Sequence, residues 1–282
     1  MNDGSSPRAI AAPPAGVDRA DFIVRPITTL KDFRACVDMQ ADVWGPTYTD
    51  SVPASLLQVA TYVGGIVLGA FTSAGELTGF LFGLTGVQNG ELVHWSHLLG
   101  VRDAARNLGV GRMLKDAQRA ELARRGIRKM SWTFDPLVAK NAHLNLNRLG
   151  ARVVEYVPDM YGTTTSPLHY GLATDRLVVT CDTSASPTVE QPATDQRLAP
   201  VLSLEPQRDD VIMRDGETPP WLRIEIPTDI RQVIEHSPAN AAAWRQSVRG
   251  YFQWALGAGY EVTGLHREPV TSRSFYSLVR RA

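Results

Sequence analysis

Residues 91–128 constrain this chain more than any other stretch. They read ELVHWSHLLGV, then RDAARNLGVGRML, then KDAQRAELARRGIR. The pattern is an apolar strand carrying His94 and His97, a glycine-containing turn, and a long basic helix. A strand that delivers a glycine turn onto a helix N-terminus makes an anion site from backbone alone. The first helical N–H groups have no intrahelical acceptor, and the helix dipole favours negative charge there. Gly109 and Gly111 lack a Cβ, so a phosphate oxygen can approach the main chain. Between Arg102 and Lys129 there are nine Arg or Lys against three Asp or Glu, in a chain of formal net charge zero. The implied ligand is a compact polyanion bound locally.

The spacing Arg106, two residues, Gly109, one residue, Gly111 resembles motif A of the GNAT acetyltransferase superfamily. Val101, five residues before Arg106, ends the preceding strand as in that family's pattern. The elements after the helix keep the family's order: a strand over Lys129–Phe134, a short helix containing Asn141, and Leu149-Gly150-Ala151 before another strand. The resemblance covers residues 22–182 well and the tail loosely. It implies an α/β GNAT fold, a mixed and mostly antiparallel sheet splayed between its fourth and fifth strands. It also implies acetyl-CoA or another acyl-CoA as co-substrate and no metal. Arg106 and the backbone of Leu108, Gly109, Val110, Gly111 and Arg112 would hold the pyrophosphate. Leu99, Val101 and Asn141 would meet the pantetheine arm.

Acyl transfer to an amine needs a base of near-neutral pKa, a polarised thioester carbonyl and a tolerable thiolate. Backbone N–H groups freed where the strand stops pairing can serve as oxyanion donors. Histidine, with an unperturbed pKa of about 6.5, suits the base. His97 lies four residues before Val101, where some GNAT enzymes acting on small amines place a histidine, and is the catalytic candidate. The competing reading is a hydrogen-bonded core histidine. His94 comes second, on the opposite face of a regular strand unless a bulge realigns it. The family often has an acid tyrosine where this chain has Leu146, which leaves the general acid unassigned. Tyr156 and Tyr161 are the substitutes within reach in sequence. Asp135 reads as a helix cap or a ligand for a substrate ammonium.

The rest of the chain fills in the frame. Phe22–Arg25 reads as a strand and Leu30–Trp44 as an amphipathic helix stopped by Gly45-Pro46. Trp44, Tyr48 and the tip 47–50 fall where the family contacts its acceptor, against an ordinary loop and core tryptophan as the plainer reading. Residues 51–75 carry no charge, long enough to span a bilayer. Pro53, Gln58 and Gly64-Gly65 break the run into a helix over 54–62 and a strand over 66–71. Ile66–Phe71, Leu77–Val87 and Glu91–Val101 form a meander, with Phe80, Phe82 and Leu84 on one face. Strands over 152–157 and 176–181 flank a polar loop, 161–169, that resembles a lid.

Four segments are expected: a disordered residue 1–20 lead-in, a GNAT domain over 21–182, a Pro-rich linker over 183–220, and a tail over 221–282. The tail reads as a strand over 221–226, a helix from Ser237-Pro238 to Leu256, and strands over 260–265 and 275–279. That order resembles a degenerate second half of the same fold, without its own cofactor turn. Two cysteines, Cys36 and Cys181, allow no disulfide framework and have no metal-ligand spacing. With neutral charge and no signal-peptide pattern, the expectation is a cytoplasmic protein that binds neither nucleic acid nor membrane. The partner is a small-molecule amine, with a homodimer through the tail left open. The activity expected is N-acyl, foremost N-acetyl, transfer to a small amine such as an amino acid. The rival is a catalytically silent acyl-CoA-binding module.

Overall fold

The computed structural model describes residues 21–46, 48–162, 171–185, 199–204, 218–268 and 273–281. The expected disordered lead-in, most of the 161–169 loop and much of the 183–220 linker lie outside these residues. The chain divides into two compact units, Met1–Gly126 and Ile127–Ala282.

The first unit holds β1 (Phe22–Pro26), α1 (Leu30–Trp44), α2 (Ala54–Tyr62), β2 (Ile66–Thr72), β3 (Leu77–Gln88), β4 (Glu91–Val101) and α3 (Val110–Arg124). Its strands run in the order β1-β2-β3-β4, antiparallel throughout. Thr29 starts α1 by accepting a hydrogen bond from the Asp32 N–H at 3.1 Å, and Gly45 ends it at φ 98°. Phe33, Cys36 and Met39 of α1 and Leu57 and Ala60 of α2 pack with Val67, Phe71, Phe80, Phe82 and Leu98 in one core. Buried Gln40 ties the two helices together, donating to the Val52 carbonyl and accepting from its N–H. Leu84, expected on this apolar face, is 40% exposed, because β3 runs past the helices that cover Phe80 and Phe82.

The other sheet face is covered by α3. A Cβ on Gly79 would meet Val110 and Leu114, and one on Gly83 would meet His94 and Gln118. The odd residues of β3 therefore face α3 and the even ones face α1 and α2, as strand alternation requires.

The second unit carries β5 (Lys129–Phe134), α4 (Ala139–Ala142) running into one π-helical segment (His143–Arg148), β6 (Arg152–Val157) and β7 (Arg176–Asp182). β7 lies between β5 and β6, antiparallel to both. The same unit contains β8 (Val201–Leu202), β9 (Trp221–Ile226), α5 (Ile230–His236), α6 (Pro238–Gly257), β10 (Tyr260–Arg267) and β11 (Ser274–Arg280). These strands form a second sheet, β10-β11-β9-β8, in which only the β8–β9 pair is parallel. The splay expected between the fourth and fifth strands falls between elements of different units. α5 is an element the sequence reading passes over. Its signal was Asp229, whose side chain accepts from the Arg231 N–H at 3.0 Å.

Within this unit α6 meets the ends of β5 and β7. Arg245 holds Asp135 through two bonds of 2.9 and 2.6 Å. Arg249 holds the fully buried Asp175 through bonds of 2.9 and 2.6 Å. Phe252 stacks on Tyr156 at 5.5 Å and meets Tyr276 edge-on at 5.0 Å. The Tyr276 hydroxyl donates to the Pro136 carbonyl. The tail is thus built around the same core as β5–β7.

Candidate functional site

The turn after β4 brings most of the expected cofactor residues together. The Arg106 side chain reaches back, its Nε donating to the Val101 carbonyl at 3.2 Å and its Nη1 pairing with Asp103 at 2.7 Å. Asn107 turns the chain at φ 69° and Gly109 at φ 82°. That left-handed glycine is the N-cap of α3 and supplies no side-chain cap, and the first helical turn has no acidic residue. The leading N–H groups of α3 are therefore left for an outside acceptor. A Cβ on Gly111 would make only ordinary contacts, 3.7 Å to Leu99 and 3.9 Å to Val101, so Leu99, Val101 and Gly111 adjoin. Val110 is buried and anchors the helix start. Leu108 is half-buried, and the Arg112 side chain lies 3.5 Å from Asp116. Asn141 belongs to the second unit and is exposed on α4. These features fit a phosphate group: unclaimed amides at the helix start and an arginine in the turn that leads to it.

On β4 the register with β3 slips by one residue. Phe82 faces Leu98, but the next residue, Gly83, faces Ser96. His97 is the extra residue, a β-bulge. Its ring meets Phe82 edge-on at 6.0 Å, on the α1–α2 side of the sheet. The residue is exposed overall, yet the protein around the ring removes enough water to hold its pKa below 6.5. His97 is thus neutral at neutral pH, as a base must be. On the same sheet face Trp44 lies over Gly100, packs edge-on against Phe80 and stacks with Tyr48. That packing gives Trp44 a structural role.

His94 points the other way, under α3, and is 1% exposed. Its Nδ1 lies 3.0 Å from the Thr85 hydroxyl and its Nε2 lies 2.9 Å from the Gln118 amide nitrogen. Thr85 donates its one proton to the Gly64 carbonyl at 2.8 Å. Nδ1 must then carry the ring proton and donate to Thr85, and Nε2 must accept from Gln118. Burial, and after it the charges of Lys115 and Arg125, lower the His94 pKa to about 4. This histidine is a structural member of the core and out of reach of a substrate.

Its depressed pKa also makes stability depend on pH. The unfolded chain takes up a proton on His94 near pH 6.5 and the folded chain only near pH 4. The benefit of folding with His94 neutral is complete above pH 6.5 and is lost as pH falls toward 4. At 1.36 kcal/mol per pKa unit the loss is about 3 kcal/mol. Urea unfolding of the wild type between pH 7 and 4 should show that decline, and His94→Gln should flatten it. An equal slope in both would remove His94 as its source.

The second unit settles other candidates. Asp135 Oδ1 accepts from the Leu137 N–H at 2.8 Å while both oxygens engage Arg245, so it is a cap and an ion-pair partner. Tyr156 donates to Asp175 at 2.5 Å. Burial and then that carboxylate push its pKa far above the ordinary tyrosine value, which makes it unfit to supply a proton. Leu146, at the position of the usual acid, is buried. Tyr161 is 43% exposed, with its hydroxyl 3.2 Å from that of Thr133. The residues sequence reasoning missed are Gly83, Lys115 and Gln118, whose partners lie far away along the chain.

Among the described residues no helix is long and apolar enough to cross a membrane, and no group of three metal-ligating side chains occurs. No protein-family model and no curated protein sequence matches the chain. Solved structures similar to it include the ribosomal-protein-S18-alanine N-acetyltransferase from Escherichia coli, at 16% identity and TM-score 0.45, covering 58% of this chain and 96% of that one. Another is a GNAT superfamily phosphinothricin acetyltransferase from Sinorhizobium meliloti in complex with AcCoA, at 15% and 0.46, covering 60% and 94%. A third is an aminoglycoside 6'-acetyltransferase type Ii, at 20% and 0.45, covering 58% and 99%. What this protein does has to be read from its own residues.

Proposed function

We propose that the chain is a GNAT-type acyl-CoA-dependent N-acyltransferase, foremost an N-acetyltransferase, acting on the amine of a small molecule. One observation carries this reading: a single turn carrying Arg106 leads from the bulged strand β4 to the uncapped N-terminus of α3, whose first turn holds Gly111. The helix start receives the pyrophosphate of the co-substrate, and the bulge offers backbone N–H groups to the thioester carbonyl. His97 takes the proton from the amine as its nitrogen attacks the carbonyl carbon. The C–S bond then breaks and the thiolate leaves. With a thiol pKa of about 8.5, that departure does not require an acid.

Leu146 and the locked Tyr156 favour a second reading, a module that binds acyl-CoA without turning it over. Thiol release from acetyl-, propionyl- and succinyl-CoA with a panel of amino acids and other small amines separates the two. An enzyme releases thiol only when a particular amine is present. CoA binding with no amine-dependent release across the panel would leave the silent module standing.

A further inference from the structure

The hydrogen bonds around His94 run through four elements of the first unit. The Gly64 carbonyl just after α2 accepts from Thr85 of β3, which accepts from His94 of β4, which accepts from Gln118 of α3. Arg125, at the end of α3, donates to the same carbonyl at 3.0 Å. One residue before the bulge, Ser96 accepts a 2.7 Å bond from the Nζ of Lys115, also on α3. All of His94, Ser96, Lys115 and Gln118 are buried. Gly83, paired with Ser96 at the bulge, leaves the space in which the His94 ring lies, since a Cβ there would collide with that ring.

This is an expensive way to hold a helix on a sheet. A buried ammonium must keep partners, and Gln118 Oε1 is buried without a hydrogen bond. Leaving such an acceptor unmade opposes folding, whereas a methionine of similar shape would pack there without that penalty. What the polar groups do that apolar ones would not is fix register. Lys115 and Gln118, one helical turn apart, grip Ser96 and His94, which bracket the strand just ahead of His97. The helix whose first turn is the anion site is thereby keyed to the bulge.

We infer that Lys115 and Gln118 are positioning residues, which hold the β4 bulge and the His97 ring in place relative to the N-terminus of α3. The role rests on the acyltransferase reading, with His97 as base. Neither residue touches the reacting atoms.

The test uses Gln118→Met and Lys115→Met in the full chain, with Lys115→Met/Ser96→Ala as a background in which both partners are removed together. The His97 ring is titrated by NMR without ligand, and kcat and KM for acyl-CoA are measured with the best amine of the panel. The expected result is a kcat lowered about tenfold or more in both single variants, as small misplacements do. KM for acyl-CoA should stay within about twofold, and the His97 pKa should rise toward 6.5 as the ring leaves Phe82. Gln118→Met removes the unpaired Oε1 but leaves the buried His94 Nε2 without its donor, so it should melt somewhat lower than the wild type while still folding. The double variant should regain stability over Lys115→Met without regaining kcat. If Lys115→Met does not fold, the Gln118→Met results decide. An unchanged His97 titration and kcat in Gln118→Met overturn the inference. If the wild type turns over no amine at all, the acyltransferase reading falls, while the ligand-free titration still decides whether the network holds His97.

Discussion

A chain ending at Asp182 is expected to lose the cooperative fold of its second unit. Truncation there removes α6 and β9–β11, and with them both arginines that neutralise the carboxylates of β5 and β7. Asp175 is fully buried; burial acts to raise its pKa, and the bonds from Arg249, Tyr156 and the Asp159 N–H outweigh that and hold it low. Without Arg249 only the neutral donors, Tyr156 and the Asp159 N–H, remain to oppose it. Removing one partner of a buried ion pair typically costs about 3–5 kcal/mol. Two such losses, with Phe252 stripped from Tyr156 and Tyr276 from the Pro136 carbonyl, rival the whole stability of a domain, about 5–15 kcal/mol. The fragment should aggregate and show no amide protection over 129–134, 152–157 and 176–182. A single change, Arg245→Ala, should cost about 3–5 kcal/mol, because Arg176 at 3.7 Å is the weaker partner left to Asp135. A monomeric fragment with β5–β7 protected would show the tail to be an independent module.

The second large effect concerns His97. His97→Ala should lower kcat/KM roughly a hundredfold to ten-thousandfold, the contribution of a positioned base. His97→Gln should lose nearly as much, since glutamine keeps a hydrogen bond but takes no proton. Because its surroundings lower the His97 pKa below 6.5, the midpoint of the acid limb of wild-type kcat/KM should lie below pH 6.5, where the ring becomes charged. Near-normal turnover in His97→Gln, with the acid limb in place, would make the ring structural.

The elements were legible because each strand or helix carries its own period and its own stops. The helix over 54–62, the strand over 91–101 and the strand over 129–134 appear with the expected bounds, set by Gly64-Gly65, Gly90 and Gly126. The anion turn was legible for the same reason, since its glycines, arginine and helix are contiguous. The bulge was not. It arises from the pairing of Gly83 with Ser96, and nothing in either strand alone marks His97 as the extra residue. That His94 and His97 face opposite sides follows from their odd spacing, as expected; the slip puts Leu98 on the His97 side as well, and Gln118, 24 residues away from His94, holds His94 in the core. Likewise, Asp135 and Arg245 lie 110 residues apart, so the tail's partnership with β5 and β7 was not visible in composition. A loop cap and a buried ion pair look alike in sequence.

In the proposed function, the start of α3 binds the pyrophosphate of coenzyme A. Gly109 is a poor probe, because at φ 82° any β-branched residue distorts the cap itself. Gly111→Asp is a clean one. Its Cβ meets only ordinary contacts, and a carboxylate in the first turn suits the helix dipole. The same negative charge beside the leading N–H groups of α3 repels a phosphate there. Calorimetric titration of CoA into wild type and Gly111→Asp, at low and high salt, is the direct measurement. Wild-type binding should be salt-sensitive and weakened about a hundredfold or more in Gly111→Asp, which should still fold. Equal CoA affinity in the two proteins would contradict binding at that helix start.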